Sequence, residues 1–554
     1  MILDGFRTGT FEIVASVCRL ATVAWILCAP CQARAQIVLP SPGAISAESQ
    51  RIQKEVEKRQ QTRVEDPTDV SPKPPSQLVL PPGGATFLLR AVTFDHSEFI
   101  PDATLTAISA SYIGRRVDIS DLQNLLKAVN DIYADRHIIT ALAYLPQQDV
   151  RSGHLHVAIV ENRLGQVIVK GNRLLPSDWV TSTLSAEKGA VVDVPKIEDN
   201  IARFNTTRNA QMQAALQKGA TFGLTDITLS VLEPPKDSLQ LSFDNQGIDS
   251  VGRLQAEADY QHYGLLGYDD KFSAYMLGAQ GNQNGNLAYD FLFNPWGGRI
   301  GVSAGLGQIR VVQGPYKSFN IKGMVENEGL NVAQPLYIDS TWAILLNGAL
   351  TRSQSAVNLS GVTVAKNETI KRTIGTTVQL TTDLMIVNLS TNVSYVRSMI
   401  KLTGTYEDST LFSTQIASNL HLPLDLVLAL NGSAQLANRA ELQSEQQFQI
   451  GGPTSVRGYS SESTSGTDGY FTNLELHHNL DGLIDRTDVY VFYDRGVAYN
   501  SRPRAVTLNS AGAGVTWKAE KTLTADLFFG VPLTRIAQSP SSYAVYFRLS
   551  AQLP

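Results

Sequence analysis

Arg457 stands in the run Gly451-Gly452-Pro453-Thr454-Ser455-Val456-Arg457-Gly458-Tyr459, a glycine-rich loop between two stretches that read as strands. Thirty-seven residues further on, Asp494 lies in Phe492-Tyr493-Asp494-Arg495-Gly496. An arginine taken out of water needs a carboxylate, because an unpaired buried charge is strongly destabilising. The guanidinium fork matches a carboxylate through two parallel hydrogen bonds. Gly451, Gly452 and Gly458 permit the tight backbone such a loop needs. Alternation puts Phe492 on the same face as Asp494, where Tyr459 is expected to pack against it. An arginine on an external loop in water is the competing reading, and there a salt bridge is worth little.

Other reactive patterns point away from catalysis. Gly301-Val302-Ser303-Ala304-Gly305 has the spacing of a hydrolase nucleophile, but that motif requires a strand-to-helix elbow. Here Ile300, Val302, Ala304 and Leu306 alternate with small residues and no helical pattern follows. Small side chains on the inner face of a barrel strand explain it better, and a barrel-anchored esterase would rest on Ser303 alone. His477 and His478 are adjacent on an expected strand, so they point to opposite faces and cannot chelate one metal; they are read as solvated barrel histidines. The chain has neither H-E-x-x-H nor a phosphate-cradling P-loop.

The elements that must position Arg457 and Asp494 follow from the rest of the chain. Its 554 residues exceed one ordinary core, so several domains are expected. The net charge of −5 and the lack of a basic stripe argue against a nucleic-acid partner. An export signal is read over 1–35: Arg7 precedes an apolar stretch whose strongest part is 20–27, and Ala33-Arg34-Ala35 gives a small-x-small cleavage site. Cys18, Cys28 and Cys31 all precede that cut, so the mature chain is expected to have no disulfide, thiolate metal site or cysteine nucleophile. No later segment offers the roughly 18 apolar residues of a membrane helix. A mature chain that spans a membrane must then do so as a closed barrel.

Residues 47–63 are good helix formers with a thin apolar seam at Ile52 and Val56, and six prolines between 66 and 82 make an extended linker. A strand is expected over 87–94, a short helix opening at Pro101, a helix over 121–135 with Leu122, Leu125, Leu126, Val129, Ile132 and Tyr133 on one face, and strands over 140–145 and 154–160. The order β-α-α-β-β recurs more loosely: a strand over 164–169, helices over 176–184 and 194–204, and strands over 212–216 and 226–232. From 236 onward the texture is alternation, with Leu239, Leu241 and Phe243 between Gln240, Ser242 and Asp244, and Gly, Asn and Gln clustered between strands, as at 278–285. The 319 residues from 236 to 554, at roughly 20 per strand and connection, make about 16 strands. The expected domains are therefore 1–35 signal peptide, 36–82 helix and linker, 83–161 and 162–235 two α+β units, and 236–554 a transmembrane β-barrel.

Export signal, tethered helix, two β-α-α-β-β units, barrel, Val456-Arg457-Gly458-Tyr459 and Phe492-x-Asp494-x-Gly496 together resemble the outer-membrane transporters of two-partner secretion. These TpsB transporters are also called hemolysin/hemagglutinin secretion-activation proteins. The resemblance covers the whole mature chain. It implies two periplasmic POTRA domains and a 16-stranded barrel plugged by the N-terminal helix and by the loop bearing residues 456–459. It also implies that Arg457 of that loop meets Asp494 on the inner wall. The function implied is recognition of an unfolded TpsA-like exoprotein and its passage through the barrel to the cell surface. No enzyme activity, metal or cofactor is implied. The expected partners are that exoprotein, outer-membrane lipid and the barrel-assembly machinery that inserts the chain, and a monomer is expected. Barrel insertases of the same superfamily are the alternative, disfavoured by two POTRA-like units with a tethered helix; a passive porin leaves those units unexplained. One departure is the end, Leu553-Pro554, where similar barrels often close on an aromatic residue; Phe547 is the last aromatic here.

Overall fold

The computed structural model describes residues 86–553, apart from 186, 268, 462, 481–483, 500–504, 520–521 and 537–541. The expected signal peptide, the helix at 47–63, the proline-rich linker and all three cysteines lie outside the described residues.

The first α+β unit holds β1 (Phe87–Leu88), β2 (Ala91–Phe94), α1 (Asp102–Ala110), β3 (Arg116–Val117), α2 (Ile119–Asp135), β4 (Ala141–Tyr144) and β5 (His154–Glu161). The strand expected over 87–94 is broken: β1 pairs with β3, whereas β2 joins a three-stranded sheet in the order β2-β5-β4. Leu89 is fully buried at the break, and its N–H bonds to Arg115 while that of Arg90 bonds to Gly153, so the chain changes partner within one residue. A reciprocal capping box starts α2: the Asp118 side chain accepts the Asp121 N–H, and the Asp121 side chain accepts the Asp118 N–H. Leu122, Leu125, Val129 and Tyr133 then face the core.

The second unit repeats the plan with β6 (Arg163–Lys170), α3 (Ser177–Ser182), α4 (Val194–Thr207), β7 (Gln211–Lys218) and β8 (Leu224–Leu232), its sheet ordered β6-β8-β7. One detail recurs in both units. The Asn130 amide of α2 accepts the Ala143 N–H of β4 at 2.7 Å and donates to the Ala143 carbonyl at 3.1 Å. The Asn205 amide of α4 does the same to Met212 of β7, at 2.7 and 3.1 Å. Each edge strand is thus clasped to its helix by a side chain that imitates one residue of a neighbouring strand.

Sixteen antiparallel strands close the barrel. They are β9 (Asp237–Asp244), β10 (Gln255–Tyr263), β11 (Lys271–Ala279), β12 (Asn282–Leu292), β13 (Arg299–Arg310), β14 (Lys322–Ile338), β15 (Trp342–Leu359), β16 (Val362–Thr381), β17 (Met385–Ile400), β18 (Thr405–Leu422), β19 (Leu426–Ala437), β22 (Asp468–Asn479), β23 (Thr487–Tyr499), β24 (Ala505–Ala519), β25 (Leu523–Pro532) and β26 (Ala544–Leu553). Closure pairs β26 with β9, Leu553 opposite Leu239, so the last strand ends on leucine with Phe547 inside it. The outward face is apolar, with Leu241, Phe243 and Leu549 exposed, while Ser242 and Ser550 meet inside at 3.0 Å. Closure leaves no edge unpaired, as a lipid-embedded sheet requires. The polar cluster at 278–285 proves to be strand on both sides of a two-residue connection, Gln280-Gly281. Lumen-facing positions need no apolar side chain, so composition there imitates a loop.

The second unit is tied to one rim of the barrel. The Asp269 carboxylate accepts the Asn209 N–H at 3.0 Å and Arg299 Nη1 at 2.8 Å, and Arg208 Nη2 donates to the Pro295 carbonyl at 3.0 Å. Burial pushes Arg208 down to about 10, which still leaves it charged at neutral pH.

Candidate functional site

Between β19 and β22 the chain folds into the lumen, where β20 (Phe448–Ile450) pairs with β21 (Thr464–Gly466). Gly451, Gly452 and Gly458 all have positive φ, 107°, 92° and 90°, a region that favours glycine. Arg457 is only 6% exposed and Asp494 0%. Arg457 Nε donates to Asp494 Oδ2 at 2.8 Å and Nη2 to Oδ1 at 2.7 Å, the two-pronged geometry, and the Arg457 main-chain N–H adds a third bond at 2.9 Å.

Each member of the Phe492, Asp494, Gly496 set has a distinct contact, because all three face the lumen from β23. The guanidinium carbon lies 3.5 Å from the centroid of Phe492, a cation–π contact. Asp494 takes the fork. At Gly496 an added Cβ would stand 2.7 Å from Val456 Cγ2, so glycine there makes room for the loop. Val456 and Tyr459, both fully buried, pack with Ile450, Ala498 and Leu508. The expected contact of Tyr459 with Phe492 is therefore corrected: the guanidinium occupies that ring face. The Tyr459 hydroxyl instead lies 2.7 Å from the Asn509 carbonyl and 2.8 Å from the Thr534 carbonyl, and accepts the Thr534 N–H at 3.1 Å.

Three participants escaped the sequence reading. Glu475 on β22 lies 2.6 Å from Arg457 Nη1, so the arginine has two carboxylates. The signal was its period-two spacing from Asn473 and His477, which shares their lumen face. Gly530 on β25 is the floor beneath Gly458: a Cβ on Gly530 would stand 2.7 Å from Gly458 N. The third is a second foothold of the same loop, at residues 442–446. Gln446 Oε1 accepts Ser409 Oγ at 2.7 Å and its Nε2 donates to Ser398 Oγ at 2.8 Å. Glu445 accepts from Ser355 and Asn367, Gln443 Nε2 donates to Glu407 at 3.0 Å, and Leu442 packs on Val396 and Leu411.

The histidines divide as expected, but His477 is not simply solvated. Its Nδ1 is 2.7 Å from Asp488, its Nε2 3.0 Å from Glu475, and its ring stacks on Tyr490. It orients Glu475 toward Arg457. Ser303 sits mid-strand in β13, where the backbone is extended and provides no elbow for a nucleophile.

Residues 223–519 match the family described as haemolysin secretion/activation protein ShlB/FhaC/HecB, and residues 87–162 match the POTRA domain of ShlB type. The heme/hemopexin transporter protein HuxB of Haemophilus influenzae (strain 86-028NP) is 22% identical over 465 residues, 79% of this chain and 82% of that protein. The outer membrane transporter CdiB of Dickeya dadantii (strain 3937) is 22% identical over 494 residues, 84% and 86% of the two chains. The solved structure of CdiB from Escherichia coli superposes with a TM-score of 0.69 at 19% identity, covering 94% of this chain and all of that one. The chain belongs to the haemolysin secretion/activation family, the TpsB outer-membrane transporters that carry exoproteins across the outer membrane.

Proposed function

We propose that the chain captures an unfolded, TpsA-like exoprotein in the periplasm through two POTRA domains, residues 83–161 and 162–235, and passes it through the barrel at 236–554 to the cell surface. Val456, Arg457, Gly458 and Tyr459 act as a plug-loop latch, and Phe492, Asp494 and Gly496 as its seat on the wall. The observation that carries this reading is the buried Arg457–Asp494 fork, with Phe492 beneath it and Gly496 clearing space for Val456. The chain works without chemical catalysis. Folding of the cargo outside supplies the drive, outer-membrane lipid surrounds a monomer, and the barrel-assembly machinery inserts it.

Capture uses strand addition, in which main-chain hydrogen bonds hold any extended sequence. The groove between α2 and β4 is one such edge, and β7 beside α4 is a second, since each of these strands has a single sheet neighbour. Asn130 already fills the outward groups of Ala143, so four-residue β4 offers little free edge unless that amide swings away. Eight-residue β7 extends well past its clasp at Met212. Secretion assays with Arg457→Ala and Asp494→Ala test the latch. Both variants should assemble as heat-modifiable barrels and secrete less; full secretion by either one refutes the latch.

A further inference from the structure

The lumen has two chemically different walls. From β22 through the closure to β13 the inner face carries charges held in ion pairs: Asp494 and Glu475 with Arg457 of the infolded loop, Arg548 with Glu257 and Asp244, Arg299 with Asp290. On β15 to β19 the inner face that lines the cavity is mostly short and uncharged, Thr, Ser, Asn and Gln with Leu345, Ile386, Val396 and Leu411 among them. Thr369, Thr373 and Thr377 of β16 face Ser398, Ser394 and Ser390 of β17 in register, with hydroxyl separations of 2.9, 2.9 and 2.8 Å. Asn347 of β15 donates to Thr377 at 2.8 Å and continues the series. Lys371 is the only Lys, Arg, Asp or Glu that these five strands contribute to the lining of the lumen cavity among the described residues. That cavity, about 2510 Å³, runs from Glu198, Asn205 and Gln211 of the second α+β unit, along this wall, to Glu445 and Gln446.

We propose that the exoprotein crosses the barrel in extended form along the neutral wall of β15–β19, and leaves beneath the 442–446 foothold while Arg457 stays bound. The proposal rests on the transport reading above. An unfolded chain presents every kind of side chain in turn, together with unpaired backbone groups. Charges on a wall, even paired ones, can exchange partners with the opposite charges of the cargo and stall it, most strongly where water is scarce. Hydroxyls that already satisfy each other impose no desolvation debt and exchange weak bonds with any passing backbone. The same logic selects the part of the loop that moves. Gln446 is held by neutral hydrogen bonds to serines that lumen water can replace, whereas freeing Arg457 would strand Asp494, a fully buried carboxylate. The foothold also closes the outer end of the neutral wall, so its release opens the route in line with the path.

The test uses the full chain with Cys18, Cys28 and Cys31 replaced by serine. One reporter, Thr373→Cys on β16, lies on the neutral wall; the other, Gln240→Cys on β9, lines the same cavity seven strands away in one direction and nine in the other. Each is labelled with benzophenone maleimide in secreting cells. The probe is the polypeptide that vanishes from the medium when the transporter is deleted. The expected result is at least about tenfold more photo-adduct with that polypeptide at Thr373 than at Gln240. Equal adducts, or more at Gln240, overturn the proposal and leave barrel passage standing. Adduct at neither site while secretion continues overturns barrel passage as well. In planar bilayers, Gln446→Ala should raise the frequency of open events severalfold with gel mobility of the folded barrel unchanged. Unaltered gating overturns the exit beneath the foothold.

Discussion

Removing Arg457 and removing Asp494 should have unequal consequences, although they are partners. Arg457→Ala takes away the fork, the Glu475 contact and the ring stack at once, and leaves Asp494, 0% exposed, with a main-chain N–H in place of a cation. Breaking a buried pair in this way costs about 3–5 kcal/mol. Asp494→Ala leaves Arg457 with Glu475 at 2.6 Å and with Phe492, so the loss is that of hydrogen bonds to a charged group, about 2 kcal/mol. The double variant removes the stranded carboxylate and should open no more easily than Arg457→Ala. Hydrogen exchange of peptides spanning residues 456–459, in the full-length reconstituted transporter, measures the opening of the loop. At about 1.4 kcal/mol per tenfold, Arg457→Ala should lower protection by two orders of magnitude or more, and Asp494→Ala by about thirtyfold. Additive effects in the double variant, or a larger effect from Asp494→Ala, would falsify the view that the fork is the dominant contact and Glu475 a reserve.

Gly530→Ala should undock the loop without touching a charge, because its Cβ would press on Gly458 N at 2.7 Å; loop exchange should rise as in Arg457→Ala while the barrel stays folded. Tyr459→Phe deletes a buried hydroxyl set against the Asn509 and Thr534 carbonyls, a destabilisation of about 1–3 kcal/mol readable as earlier heat-modification of the barrel. Asn205→Ala and Asn130→Ala should each loosen the helix-to-edge clasp by about 1–2 kcal/mol, seen as faster exchange at Met212 and Ala143. Tyr133 carries a pH signature: burial foremost, then the bond to Glu161, raises its pKa well above the ordinary tyrosine value. A raised folded pKa means stability is intact below about pH 10, where the unfolded tyrosine begins to ionise, and is lost as pH climbs toward the folded value. Limited proteolysis of the first unit should accelerate above that pH, and Tyr133→Phe should flatten the rise.

The barrel was legible because period-two alternation is a direct imprint of a two-faced sheet, and dividing 319 residues by a strand-plus-turn length lands on sixteen. The helix α2 was legible through its apolar face, Leu122 to Tyr133, but its start was set at 121 rather than 119, because the Asp118–Asp121 capping box went unread. What alternation does not carry is which polar neighbours meet across strands distant in sequence. Glu475 and Gly530 stand 18 and 73 residues from Arg457, and only the infolding of the loop against the neighbouring strands β22 to β25 brings all three together. Gln446 was hidden for a different reason. Its run, Gln443-Ser444-Glu445-Gln446-Gln447, has the composition of a solvated loop, and its partners are serines, an asparagine and Glu407, residue types that any surface carries. Neutral polar sites are built from common residues, whereas a buried arginine announces itself through its need for a carboxylate.

That difference in visibility follows from a difference in strength. A loop in a wet lumen gains little from apolar burial, so something else must set its position, and an ion pair does so only where water is excluded. Val456, Tyr459 and Phe492 exclude it around Arg457, with Phe492 4% exposed and the other two 0%. The same enclosure makes release expensive, because freeing Arg457 would leave Asp494, 0% exposed, as a buried carboxylate without its cation. A seat of this kind suits a fixed pivot. The part of the loop that yields should be bound by groups whose alternative partner is water at similar free energy, and Gln446, held by Ser409 and Ser398 on the opposite side of the loop, meets that condition. Exchanging the two kinds of contact provides the sharpest contrast. Gln446→Arg with Ser398→Asp, which installs a charged pair at the second foothold, should slow secretion with Arg457 untouched. Undiminished secretion by that variant, with the new pair shown by protection of residues 442–446 from exchange, would mean that this end of the loop has no part in opening.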